Sequence, residues 1–300
     1  MNDIYRRQVA ILIRVMPIVF KIKDFAVHGG TAINLFHRNL TRYSVDIDVT
    51  YIPLEDRNTS LTNINLHLSA LKTAIEKAIP GIRVIHKPDV WKLQCTKDGT
   101  TIKIEVNGTK RGIIGSVEKI QLCEKVKEEF GMSCCANIVL WSQLYGGKIV
   151  AALSRQHPRD LFDCRDMTSD DFNAVKNGFM LCLLGSDKPI IESWNPNLID
   201  QTDALDNQFN GMTDETFSYE DYQKARENLV KIVNQSMTQE DQEFLISFEA
   251  GNPDWNRCCA GDLSRFPSVK WKLRNITKHQ STNPAKHKQG VEKLSEYFRH

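Results

Sequence analysis

Two aspartates one residue apart, Asp46 and Asp48, sit on an apolar run that reads VDIDVTY from Val45 to Tyr51. Residues i and i+2 of a strand point to the same face, so the two carboxylates share one side and repel unless a cation lies between them. Hard oxygen ligands at that spacing suit Mg²⁺, which keeps waters and takes one or two protein carboxylates together with substrate phosphates. Glu105 has a similar position. Over residues 101–107 the apolar Ile102, Ile104 and Val106 alternate with Lys103, Glu105 and Asn107, the pattern of a half-buried strand. If the two strands are neighbours, Asp46, Asp48 and Glu105 converge. Three carboxylates there can hold two metals, one activating an attacking oxygen and one steadying the leaving group. The alternative for each acid is the solvated outer face of a sheet.

Gly29-Gly30-Thr31 precedes the aspartates. Glycines let backbone N–H groups approach an anion closely, and a helix that starts there adds a favourable dipole. Thr31 adds a hydroxyl. A further segment, GGKIVAALSRQHPRDLFDCRD, starts at Gly146. Lys148, Ala152 and Arg155 lie at i, i+4 and i+7, so they share one helix face. Pro158 starts a new helix with Arg159 and Asp160 in its first turn. Cations so spaced can bind a triphosphate, arginine with a bidentate grip, and Asp160 can orient Lys148 or Arg155. The alternatives are an ordinary turn for the glycines and an ordinary charged surface for the helix.

The elements that must position these residues follow from periodicity. Residues 3–20 read as an amphipathic helix, and Phe25-Ala26-Val27 as a short strand running into the glycines. Thr31–His37 reads as a short helix with Thr31 as its N-cap, and Val45–Ile52 as a strand. Leu61–Ala78 has helical spacing. Residues 82–86 and 91–96 read as strands, with a hairpin turn at Lys97-Asp98-Gly99. From about residue 138 the pattern turns helical, over Ile138–Leu153 and residues 170–184, 220–234 and 238–249. The stretch Asp200–Asp221 has seven carboxylates and no Lys or Arg and reads as a solvated loop. Val269–His300 has eight Lys/Arg against two Glu, which suits either an RNA backbone or a solvated, partly disordered terminus.

A chain of 300 residues suggests two domains, placed at 1–140 and 141–300. A net charge of +2 argues against non-specific nucleic-acid binding by the whole chain. The eight cysteines include the adjacent pairs Cys134-Cys135 and Cys258-Cys259, which suit neither a disulfide framework nor a zinc knuckle. The apolar run Val9–Phe20 contains Arg14 and Pro17 and is too short to span a bilayer. The expectation is a cytoplasmic protein with reduced cysteines and no membrane partner.

The order of GGTAINLFHRNLTRYSVDIDVTY, IKIEVN, GGKIVAALSRQHPRDLFD, FLISFEAGNPDWN and WKLRNI resembles the AbiEii/AbiGii toxin family. These are nucleotidyltransferase-like toxins of toxin–antitoxin systems, related to the MenT toxins. The resemblance covers roughly residues 25–275. It implies an α+β fold: a DNA polymerase β-like nucleotidyltransferase domain, with a mixed sheet and flanking helices, followed by a mainly helical C-terminal domain. The family's metal-binding aspartates fall on Asp46 and Asp48, and its glycine turn on Gly29, Gly30 and Thr31. Its R-x-S falls on Arg42 and Ser44, its motif lysine on Lys148 and its R-D pair on Arg159 and Asp160. The turn reads Gly-Gly-Thr where related nucleotidyltransferases place a serine after the first glycine, and fifteen residues separate Gly30 from Asp46.

The expected activity is transfer of a nucleotide from an NTP to an RNA acceptor, a tRNA 3′ end, with Mg²⁺ or Mn²⁺ as cofactor and a cognate antitoxin encoded nearby. The expected catalytic residues are Asp46, Asp48, Glu105, Lys148 and Asp160, with the metal on Asp46, Asp48 and Glu105. The nucleotide would be held by Gly29, Gly30, Thr31, Arg42, Ser44, Lys148, Arg155 and Arg159. Two other readings use the same residues: an NTP-binding module that sequesters a partner, and a metal-dependent nuclease with water as nucleophile.

Overall fold

Seven strands build one mixed sheet, and several of them alternate apolar with polar side chains. The structure, a computed structural model, describes residues 2–299. The strands are β1 Phe25–His28, β2 Asp46–Tyr51, β3 Arg83–Lys87, β4 Lys92–Lys97, β5 Thr100–Val106, β6 Glu118–Gln121 and β7 Cys135–Ile138. Their spatial order is β3-β4-β5-β2-β1-β7-β6. The β2–β5 and β1–β7 pairs are parallel, and the remaining neighbours are antiparallel. Asp98 and Gly99 both have positive φ, 48° and 74°, as a two-residue hairpin between β4 and β5 requires.

One face of the sheet is apolar. Ile47, Val49, Val84, Leu93, Cys95, Ile102, Ile104 and Val106 are all buried. The helices Asp3–Val19 and Arg57–Ala78 pack on this side and against each other. The second helix buries Ile64, Leu68, Leu71 and Ile75, one stripe at helical spacing. Asp56 caps it by accepting from Asn58 N and Thr59 N. The opposite face of β2, β5, β4 and β3 stays polar and open to solvent.

The chain divides into two compact units, Met1–Leu140 with Asp206–Thr216, and Trp141–Leu205 with Phe217–His300. The middle of the acidic stretch is therefore not a solvated loop. Phe209 and Met212 are each 3% exposed. Gly211 O accepts from Asn2 N at 2.8 Å, Met212 O accepts from Tyr43 N at 2.7 Å, and Thr213 Oγ1 donates to Thr41 O at 2.9 Å. The carboxylates flank apolar residues that dock on the first unit and brace the loop leading into β2.

The second unit is helical. Ile138 ends β7, paired with Val27, so the helix expected from Ile138 begins at Trp141 and runs to Arg155. It crosses the helix Ser169–Leu184 at two glycines. A Cβ on Gly146 would lie 2.1 Å from Phe179 N, and one on Gly178 would lie 2.0 Å from Ser142 O. The backbones touch, and neither can give way as a flexible side chain would. Gly146→Ala is therefore expected to lower stability by about 3 kcal/mol or more, seen as a lower thermal unfolding midpoint. Thr168, Ser218 and Thr238 open three helices through reciprocal capping boxes with Asp171, Asp221 and Asp241. The basic C-terminal stretch is ordered as two helices, Pro267–Thr282 and Pro284–Arg299. Lys272 is not available to an RNA backbone: it is 8% exposed and donates to Lys188 O at 2.7 Å.

Candidate active site

In the first unit the glycine turn and the aspartate strand meet. β1 and β2 pair with His28 opposite Asp48, so the turn that follows β1 lies beside the second aspartate. Gly29 has φ +72°, and a Cβ there would fall 2.4 Å from Asp48 Oδ2. A Cβ on Gly30 would fall 2.7 Å from Arg42 Nη2 and 2.9 Å from Ser44 Oγ. The helix begins at Gly29 itself, so Thr31 is not its N-cap. Thr31 is fully buried and donates through Oγ1 to Asp46 O at 2.5 Å, with Ser44 Oγ 3.0 Å away. It ties the turn to the aspartate strand. Asn34 Nδ2 donates to Gly30 O at 3.0 Å, and Asn34 Oδ1 accepts from Thr41 Oγ1 at 2.8 Å. Arg42 is 3% exposed and donates to Tyr43 O at 2.9 Å. Tyr43 is buried and donates to Glu129; burial and that carboxylate hold its pKa well above the ordinary tyrosine value.

Asp48 is exposed and Asp46 half-buried on β2, with the buried Ile47 between them. β2 and β5 are neighbours, with Asp48 opposite Glu105 and Asp46 opposite Lys103. In a parallel pair these residues share a face. Glu105 Oε1 lies 2.6 Å from Lys92 Nζ on β4. Among the described residues no three His, Cys, Asp or Glu side chains gather as a group that could hold a metal ion. The aspartate pair still suits Mg²⁺, which asks for one or two protein carboxylates and takes the rest from water and phosphates. The space a Cβ would fill at Gly29 leaves the Asp48 carboxylate close to bare backbone.

This closeness yields a prediction. Gly29→Ala places a methyl against Asp48 and forces left-handed backbone on a Cβ-bearing residue, a cost of roughly 1–2 kcal/mol. A carboxylate displaced by about 1 Å lowers a positioning-limited rate about 10²-fold. Kinetics beside a thermal melt separate the two effects.

The second unit carries another polar cluster. Lys148 is 6% exposed, and its Nζ lies 2.9 Å from both Asp160 Oδ1 and Asp163 Oδ2. Asp160 Oδ2 lies 2.7 Å from Arg155 Nη2. Asp160 thus bridges a buried ammonium and a largely exposed guanidinium. Burial pushes the Asp160 carboxyl up, but Lys148 and Arg155 outweigh it and hold its pKa below the ordinary value. The helix Pro158–Cys164 starts where the proline sets it, and its N-cap His157 accepts from Arg159 N at 3.2 Å.

Asp163 of this cluster and the neighbouring Gln156 have no place among the residues expected from sequence. Asp163 carries a motif-level signal, since it stands at i+3 from Asp160 on one helix. Gln156 carries none. It sits between the two helices with φ +51° and is 1% exposed. Its Nε2 donates to Asn197 O at 2.7 Å, and its Oε1 accepts from Arg226 Nη1 at 3.0 Å. Its carbonyl accepts from Tyr222 OH at 2.9 Å. This knot fixes the reversal that lets Arg155 and Asp160 meet.

Among the described residues no helix is long and apolar enough to cross a membrane. No protein of curated function matches the chain. Among solved structures it is similar to MenT4, a nucleotidyltransferase toxin from Mycobacterium tuberculosis H37Rv. The TM-score is 0.60 at 12% identity, over 91% of this chain and 93% of that one. At that identity the likeness speaks for a shared fold, a mixed sheet with a helical C-terminal region. The model of the nucleotidyl transferase AbiEii toxin family, of type IV toxin–antitoxin systems, matches residues 10–275, and the chain belongs to that family.

Proposed function

We propose that this nucleotidyltransferase toxin uses Mg²⁺, or Mn²⁺, to transfer a nucleotide from an NTP to the end of an RNA acceptor, a tRNA 3′ end. It thereby stops translation and growth in the cytoplasm until its cognate antitoxin, encoded nearby, opposes it. One observation carries the reading: the Gly29 backbone, left-handed and without a Cβ, lies against the Asp48 carboxylate. A phosphate approaching that turn meets bare backbone and a metal-type carboxylate at the same place.

The acceptor hydroxyl oxygen attacks the α-phosphorus, the bond to the β-phosphate oxygen breaks, and pyrophosphate leaves with those electrons. Asp46 and Asp48 would hold the metal, whose chemistry is to neutralise charge on the phosphates. Catalysis is otherwise positioning and charge stabilisation. Gly29, Gly30 and Ser44 line the phosphate approach. Thr31 and Arg42, both buried, hold the turn against the strand. Glu105, tied to Lys92 and beside the aspartates, is the general base that accepts the hydroxyl proton when Lys92 releases it. Within the second unit Arg155 and Arg159 are cations suited to a phosphate; Asp160 holds Arg155, and Lys148, itself paired with Asp163, anchors Asp160.

End-labelled tRNA incubated with the protein, Mg²⁺ and each NTP tests this on a sequencing gel. Lengthened tRNA that requires NTP supports it. Shortening without NTP means a nuclease, and NTP binding without any change in tRNA length means a sequestering module. Either result overturns the proposal.

A further inference from the structure

The aspartates stand at one end of an open, polar sheet face that continues for three more strands. The register defines its rows. Asp48 lies opposite Glu105, Glu105 opposite Lys92, and Lys92 opposite Lys87. In the next row Asp46 lies opposite Lys103, Lys103 opposite Gln94, and Gln94 opposite Ile85. Arg83 on β3 begins a third row. Lys103, Arg83 and Lys87 are exposed, and Ile85 is 40% exposed. The residues between them on the same strands, Val84, Leu93 and Ile104, point into the core. Lys92 is held by Glu105; Lys103, Arg83 and Lys87 have no ion pair with any described residue.

We infer that this face is the docking track for the single-stranded end of the polynucleotide acceptor. Its phosphodiester backbone would run across β5 and β4 to β3, with its terminal hydroxyl at Asp46 and Asp48. The inference rests on the transfer reaction proposed above.

Three observations select this occupant. First, adjacent strands are about 4.8 Å apart, so the cations extend about 14 Å from the aspartates, farther than a compact triphosphate needs and in line for successive phosphates. Second, lysines and arginines on an edge strand also guard against edge-to-edge pairing, which accounts for Arg83 and Lys87 alone. Lys103 is on β5, an interior strand, where no such guard is needed. Third, Gln94 and Ile85 lie among the cations and offer an amide and an apolar surface to bases. The face is continuous with the aspartates, and its exposed charges complement a polyanion.

The test is fluorescence anisotropy with a short single-stranded oligoribonucleotide, read beside acceptor KM in the transfer assay. Lys103→Glu and the double variant Arg83→Glu/Lys87→Glu are each expected to weaken oligonucleotide binding about tenfold or more. They raise acceptor KM and leave the NTP KM unchanged. The triple variant should flatten the dependence of log affinity on log salt by about 2. All three positions are exposed, so circular dichroism should match wild type. A triple variant that binds the oligonucleotide with wild-type affinity and salt dependence overturns the inference. If wild type binds and the variants do not, while no NTP is transferred to any RNA, the docking track stands and the transfer reading falls.

Discussion

Replacing Asp48 by alanine is expected to lower nucleotide transfer about 10³-fold or more while leaving the unfolding midpoint close to wild type. A metal held by carboxylates contributes several kcal/mol of charge stabilisation in a phosphoryl-type transition state, and each 1.36 kcal/mol is tenfold in rate. Asp48 is exposed, so its removal leaves no cavity. The same change at Asp46 keeps the Thr31 hydrogen bond, because the acceptor is the Asp46 backbone carbonyl. Asp48→Asn preserves side-chain volume and removes only charge, so it should fall with the alanine variant. Rates with the preferred NTP, read beside melting curves, check this. A variant with wild-type rate would remove Asp48 from the chemistry.

Replacing Lys148 by alanine is expected to cost about 3–5 kcal/mol of stability, because it leaves Asp160 and Asp163 buried and facing each other without their ammonium. The pH dependence should change sign. In wild type the Asp160 carboxyl is held below its ordinary value. A carboxyl depressed on folding contributes stability that is present above its unfolded pKa, about 3.9, and lost as pH falls through the folded one. In the variant burial prevails over the remaining Arg155 cation and the buried carboxyls rise above their unfolded values. Their penalty is then full at neutral pH and relieved as pH falls through the raised folded pKa. The deficit relative to wild type should therefore narrow from about pH 8 to about pH 5. Urea unfolding at both pH values checks this, and a deficit that is small or independent of pH contradicts the role given to Lys148.

Local signals made much of this legible. The period-two alternation of β2 places Asp46 and Asp48 on one face without coordinates. Three S/T-x-x-D starts, at Thr168, Ser218 and Thr238, mark helices that begin where the capping boxes close. The polar face of β5 is equally plain, but its pairing to β2, with Glu105 opposite Asp48, depends on long-range register that no local pattern encodes. The same limit hid the return of Asp206–Thr216 to the first unit. Phe209 and Met212 are single apolar residues in an acidic stretch and show no period of their own. Gln156 defeats a sequence reading for another reason: a left-handed glutamine has no compositional mark, and its partners come from Asn197, Tyr222 and Arg226. Lys272 looks like one more cation in a basic tail until its ammonium is seen donating to Lys188 O.

The most direct measurement is covalent. The protein is incubated with each α-labelled NTP, total RNA and Mg²⁺, and the RNA is recovered under denaturing conditions. The account predicts label on a tRNA-sized band with wild type, abolished by chelator and absent with Asp48→Ala. Unlabelled RNA with all four NTPs, or equal labelling by Asp48→Ala, would contradict it.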